Sequence, residues 1–156
     1  MGTRKSEACD HGRTMTEEPD GGGQGGFDGI ELAIPATPSL LHLARMTAGV
    51  VAARADLGLD DVEDLRLAVD ELCLPFLGRE GATEGRLLLR YRWDSQTIEI
   101  SCTQTAGSRP GPGDDEVRDE LSAQILDALV DDHGVTTSGG HPGAWLRMRR
   151  PPPAGP

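Results

Sequence analysis

Apolar and polar positions alternate along GIELAIPA (29–36), where Ile30, Leu32 and Ile34 share one face, the period of a half-buried β-strand. The period lengthens in TPSLLHLARMTAGVVAARADLG (37–58), where Leu40, Leu43, Ala44, Val50 and Val51 recur at helical spacing. Thr37 stands where an N-cap belongs. Pro38 takes the first helical position, where its missing N–H is not needed, and Gly58 stands where such a helix stops. A second helix is predicted from LDDVED onward, with Asp60 and Glu63 spaced as a capping box and an acidic first turn that suits the helix dipole. GRLLLRYRW (85–93) and TIEISCT (97–103) read as strands joined by Asp94, Ser95 and Gln96, a hairpin. AGSRPGPGDDE (106–116) is a loop. DEVRDELSAQILDALVDDHG (115–134) then sets Val117, Leu121, Ile125 and Ala128/Leu129 on one helical stripe ahead of a glycine stop, and GAWLRMRR (143–150) reads as a last strand.

The order β-α-α-β-β-α-β predicts an α+β fold. Its architecture is a two-layer sandwich: a mixed, mostly antiparallel sheet of about four or more strands, covered on one face by the three helices. Composition trims the folded part. Hydrophobic residues make up 37% of the 156, and the glycines and prolines gather toward the ends. Residues 1–28 close on GGGQGGFDG, too glycine-dense to order cheaply, and are expected to be a disordered acidic tail. Residues 29–150 form the domain, and 151–156 are a proline-rich tail.

A net charge of −11 argues against nucleic acid and anionic membrane as partners, and the RMRR cluster is too small to reverse that. A basic or mixed-charge protein fits better. Cys9, Cys73 and Cys102 are odd in number and widely spaced, so they define neither a disulfide framework nor a metal site; Cys73 and Cys102 read as buried thiols. The first twenty residues contain no apolar core of a secretory signal, and no run reaches the roughly 20 apolar residues of a membrane helix. A cytoplasmic location is expected.

The segment DLRLAVDELCLPFLGRE (64–80) carries the candidate chemistry. Adjacent helical residues point about 100° apart, so Asp70 and Glu71 fall on different faces. Asp70 follows Arg66 by four residues, which predicts a surface ion pair. Glu71 is framed by Leu67, Ala68, Leu74 and Pro75. A carboxylate so placed must snorkel, find a partner or line a cleft, and both a structural and a functional role remain open.

LGLDDVEDLRLAVDELC resembles the first ATP-site helix of the RsbW/SpoIIAB-type anti-sigma factors, members of the GHKL (Bergerat-fold) ATPase and kinase superfamily. The order of elements matches that fold, IELAIPA and Arg45 match the family's opening strand and first helix, and QILDALVDDHGVTTSGGHPGAWLRMRR matches its closing helix and strand. The likeness spans residues 30–149 and is nearest the mycobacterial UsfX-like branch, which shares the DLRLAVDE core and a reduced ATP site. By resemblance, Glu71 falls on the glutamate that acts as general base toward a substrate serine. Pro75 takes the place of an asparagine that helps hold Mg²⁺, and proline has no side-chain donor or acceptor. The family's Asp-x-Gly-x-Gly adenine loop corresponds to SCTQTAGSRPGPGDDE, which keeps glycine at Gly107 but no matching aspartate. Phosphoryl transfer rests on Mg²⁺ and phosphate contacts more than on one base, so the resemblance implies a vestigial site, with ATP and Mg²⁺ as cofactors only if that site still binds.

What else the resemblance implies is an anti-sigma factor that sequesters an RNA-polymerase sigma factor. It is expected to be homodimeric, relieved by an anti-anti-sigma (STAS) protein, and to grip its partners through Arg45 and the neighbouring Leu41. An active serine kinase, or a small-ligand sensor using the degenerate cleft, is the alternative.

Overall fold

Strand β1 (Asp28–Pro35) buries Ile34 and half-buries Ile30 and Leu32 while Glu31 and Ala33 face outward, as the alternation predicts. The computed structural model describes residues 28–77, 85–106, 116–150 and 152. A short 3₁₀ turn (Pro38–Leu40) leads into helix α1 (Leu41–Arg54). Thr37 precedes that turn without capping it, since its hydroxyl meets the Ser39 hydroxyl at 3.3 Å rather than a backbone N–H. The core face of α1 differs from the expected one. Leu41, Ala44, Ala48, Val51 and Ala52 are buried, whereas Met46 and Val50 are exposed. Small side chains recurring every four residues let α1 approach its neighbours closely, and the bulkier apolar residues are left outside.

Gly58 does not end α1. The chain leaves the helix at Asp56, whose φ of 54° places it in the left-handed region, and the Leu57 N–H reaches back to the Ala52 carbonyl at 3.1 Å. Gly58 instead opens helix α2 (Leu59–Cys73) as its N-cap, without a side-chain bond, so Asp60 and Glu63 form no capping box. A 3₁₀ turn (Leu74–Phe76) containing Pro75 ends the segment and drops Phe76 into the core.

Strands β2 (Arg86–Trp93) and β3 (Thr97–Ala106) form the expected hairpin. The Asp94 carboxylate accepts the backbone N–H groups of Gln96 and Thr97, both at 2.7 Å, and these donors hold its ionisation below the usual carboxylate range. Helix α3 (Glu116–Leu129) stops short of the expected glycine. Residues assigned to its end and the following loop form an additional strand, β4 (Asp132–Ser138), which pairs with β5 (His141–Arg149) across a Gly139–Gly140 turn at φ 58° and 80°. Two consecutive left-handed residues make the mirror-image turn that suits a twisted hairpin.

The five strands lie in the order β1-β2-β3-β5-β4, every neighbour antiparallel, so the sheet is not mixed. Leu87, Leu89, Tyr91, Ile98, Ile100, Cys102 and Leu146 meet the helices on one face. The Tyr91 hydroxyl donates to the Ala44 carbonyl at 3.0 Å, and burial raises its pKa. Cys73 and Cys102 are buried free thiols 3.9 Å apart; their mutual contact, together with burial, pushes the ionisation of Cys73 well up. Arg150 fastens the end of β5 to the rest: its guanidinium donates to the Ala55 and Asp94 carbonyls, both at 2.7 Å.

Candidate functional site in the helical layer

Helix α2 lies between α1 and α3, and its two adjacent carboxylates face opposite neighbours. Asp70 turns to α1, where its Oδ2 lies 3.3 Å from Arg45 Nη1. The expected pair with Arg66 does not form, because Arg66 is taken by Glu63 at 2.9 Å. Nor is Asp70 a solvated surface charge. Its side chain is 19% exposed and its Oδ1 is a buried oxygen without a hydrogen-bond partner among the described residues. Desolvation raises its pKa above the ordinary 3.8, opposed by Arg45 and reinforced by Glu71.

The sign of this linkage sets an expectation. The native state holds the Asp70 proton more tightly than the unfolded chain does. The stability it contributes is therefore complete below pH 3.8 and lost as pH rises through the raised pKa. In Asp70→Asn that slope disappears. The difference in unfolding free energy between wild type and variant is expected to fall as pH rises from 3.8 through the raised pKa of Asp70 and to level off above it. A pH-independent difference in urea titrations would remove Asp70 as its source.

Around Arg45, the α1–α2 surface forms an open groove of about 510 Å³, with Met46 and Leu67 beside the charges of His42, Asp64, Arg66 and Asp70. Met46 is 60% exposed and Leu67 46%, so two bulky apolar groups stand in solvent next to paired charges. Leu41 does not join them. It is 8% exposed and belongs to the core, so it does not share the exposed surface of Arg45 that the resemblance implied for it.

Glu71 turns to α3. Its Oε2 accepts a hydrogen bond from the Ser122 hydroxyl at 2.8 Å, and Ser122 is itself buried. The pair sits in a cleft of about 280 Å³, walled by Leu72, Pro75, Leu126 and Ala144, with Asp119 and His133 also in its lining. His133 is on β4, and its Nε2 meets Asp127 Oδ1 at 2.8 Å. The expected stripe of α3 is shifted: Val117 and Leu121 are exposed, and Ser122 and Leu126 take the buried positions. Ser122 was not singled out by the sequence reading. Its four-residue spacing to Leu126 is the one signal that would have found it.

These residues fit a magnesium nucleotide poorly. Pro75 offers no ligand atom, Glu71 is already hydrogen-bonded, and the charged groups among the described lining residues, Glu71 and Asp119, are acids that would repel phosphate. Among the described residues no cluster of His, Cys, Asp or Glu is arranged for a metal ion. Gly107 lies outside the described residues. What the described cleft offers is the Glu71 carboxylate, held by the buried Ser122 hydroxyl, with Asp119 in the same lining.

No protein-family model matches the chain. Curated relatives do. The anti-sigma-F factor RsbW of Mycobacterium tuberculosis is 32% identical over 126 residues, which cover 80% of this chain and 71% of that protein. The serine-protein kinase RsbW of Bacillus pumilus is 31% identical over 86 residues, 52% of each chain. The kinase of the same name from Bacillus velezensis is 46% identical over 46 residues, 30% of this chain and 29% of the other. Identity at this level over most of both chains, carried on a helix-covered antiparallel sheet, shows that the chain belongs to the RsbW family of anti-sigma factors.

Proposed function

We propose that the protein is an anti-sigma factor that sequesters an RNA-polymerase sigma factor by direct contact, using the α1–α2 groove around Arg45. The observation that carries this reading is the groove itself: Met46 and Leu67 are left exposed beside the Arg45–Asp70 pair. Apolar anchors rimmed by charges are how protein interfaces concentrate their energy. The M. tuberculosis relative is named an anti-sigma-F factor, which supports the assignment. A chain of net charge −11 also complements a partner with basic nucleic-acid-binding surfaces. Release by an anti-anti-sigma protein of the STAS type, homodimerisation and a cytoplasmic location belong to the same reading. No helix among the described residues is long and apolar enough to cross a membrane.

Serine-kinase activity is the second reading. It is favoured by the position of Glu71 in a cleft and by the names of the Bacillus relatives. Pro75 and the acidic lining count against it, so Glu71 is read as a vestigial general base and no cofactor is assigned. The two readings separate in one experiment. The purified protein is incubated with candidate sigma factors, and separately with an anti-anti-sigma protein, ATP and Mg²⁺. The expected outcome is a stable sigma complex and no transfer of phosphate. Phosphorylation of the partner's serine that Glu71→Gln abolishes would establish the kinase instead, and failure to bind any sigma factor of the host would overturn the anti-sigma reading.

A further inference from the structure

One sheet face packs on the helices, and the opposite face carries a charge pattern at odds with the rest of the chain. By strand alternation and register, Arg86, Arg90, Arg92, Arg147 and Arg149 all point away from the helical layer. Among the described residues the acids on that face are Glu31, Glu99 and Asp132. Two of these are engaged, Glu31 with Arg90 at 2.7 Å and Glu99 with Arg147 at 3.2 Å. Among the described residues that surface carries five guanidinium groups and three carboxylates, on a protein of net charge −11. At its centre Trp145 is half-buried. Its indole lies across Gly134, where a side chain would come within 3.1 Å of the ring, and the Arg147 guanidinium stands 5.5 Å from the ring centroid.

The sequence supplies an anionic segment at one edge of this face. Between Arg13 and Asp28 it contains Glu17, Glu18 and Asp20 and no lysine or arginine. The segment joins the fold at Asp28, the first residue of edge strand β1, and the next residue, Gly29, is paired with Arg92. Eight to eleven residues separate the three acids from Asp28, and at ~3.3–3.6 Å per residue the chain reaches at most about 26–40 Å. The sheet is about 19 Å across from β1 to β4 at ~4.8 Å per strand, and Arg86, paired with Pro35 at the far end of β1, is about 24 Å from Asp28 along the strand at ~3.4 Å per residue, so the arginines on the face lie within the limit of the extended chain. Tethering also raises the local concentration of the acids to the millimolar range, which favours a weak ionic contact that would not form between separate molecules.

We propose that the acidic stretch Glu17–Asp20 seats on the arginine face of the sheet, an intramolecular electrostatic contact that covers Trp145 and neutralises that surface. The contact is ionic and solvent-facing, so it loosens as salt shortens the Debye length from ~10 Å at 0.1 M to ~3 Å at 1 M. The inference does not depend on the anti-sigma reading, because it concerns the sheet face opposite the α1–α2 groove.

Trp145 reports on the contact directly. The chain has two tryptophans, and Trp93 is only 8% exposed on the helix-facing side, so Trp93→Phe leaves Trp145 as the single emitter. Acrylamide, an uncharged quencher, is titrated into this full-length protein and into the same protein carrying Glu17→Lys, Glu18→Lys and Asp20→Lys. At low salt the triple variant is expected to quench about twofold or more strongly, and 1 M NaCl is expected to bring the parent up to the variant's value. Arg86→Glu with Arg149→Glu should expose Trp145 in the parent and protect it again when combined with the lysine tail. A merely structural role for these arginines would not produce that reversal.

Equal quenching of parent and tail variant at low salt overturns the proposal. So does protection of Trp145 in the lysine-tail variant by an added acidic peptide combined with no effect of the tail itself, which would mark the face as a site for a foreign acidic partner. If Trp93→Phe does not fold, the same comparison is made on the two-tryptophan chain, where buried Trp93 adds a nearly constant background.

Discussion

Replacing Phe76 with alanine is expected to lower the unfolding free energy by about 3–5 kcal/mol. Phe76 is fully buried although it follows a proline and lies beyond the end of α2. Pro75 fits the start of the 3₁₀ turn because its fixed φ and missing N–H cost nothing there, and the turn directs Phe76 back under the helix. Arg118 of α3 holds the same turn from outside, donating to the Leu74 carbonyl at 3.1 Å. Truncation at position 76 therefore leaves a cavity in the core, and the rigid turn restricts collapse into it. The loss is a large part of the ~5–15 kcal/mol that a domain of this size holds. Urea unfolding would show a lower midpoint with an unchanged slope. A loss below about 1 kcal/mol would mean that Phe76 is not part of the consolidated core. Glu71 sits one turn upstream, so the variant should also loosen the Glu71–Ser122 bond at 2.8 Å.

Arg45→Glu is expected to weaken sigma-factor binding by at least tenfold while the fold persists. The native pair with Asp70 has Arg45 45% exposed, and ion pairs so placed contribute up to about 1 kcal/mol, too little for its loss to unfold the domain. At an interface the consequence is larger, because reversal sets a carboxylate against Asp70 and against any partner acid that Arg45 would meet. Charge pairs buried on binding commonly account for ~2–5 kcal/mol when one member is removed. Calorimetry with the cognate sigma factor reads the affinity, and circular dichroism checks the fold. The exchange Arg45→Asp with Asp70→Arg separates two causes: it restores the local pair, so recovered binding would trace the defect to helix positioning and not to direct contact. Unchanged affinity of Arg45→Glu would take the residue out of the interface.

Much of the fold was legible because local rules and tertiary demands agreed. The alternation of Ile30, Leu32 and Ile34, the β2–β3 hairpin and the opposed faces of Asp70 and Glu71 follow from the periods 2.0 and 3.6 alone. Strand β4 was missed since DDHGVTTS carries little apolar signal. As the outer strand of the sheet, it keeps only His133 and Gly134 half-buried, and the Ser-Gly-Gly-His turn after it was the overlooked marker. The faces of α1 and α3 were misassigned by ranking side chains by size. Alanines on α1 and Ser122 on α3 are buried because neighbouring elements come close there, a condition no window of sequence contains.

The candidate site divides along the same line. The sequence by itself determined that Glu71 sits among apolar residues and that Pro75 cannot ligate an ion. Only the tertiary structure decided the partners. It gave Asp70 to Arg45 instead of Arg66, joined Glu71 to a serine 51 positions away, sank Leu41 into the core and collected five arginines on one sheet face. The physical reason is common to all four. Periodicity fixes the direction in which a side chain leaves its own element, whereas its contact depends on which other element lies in that direction, and that is set by packing of the whole domain.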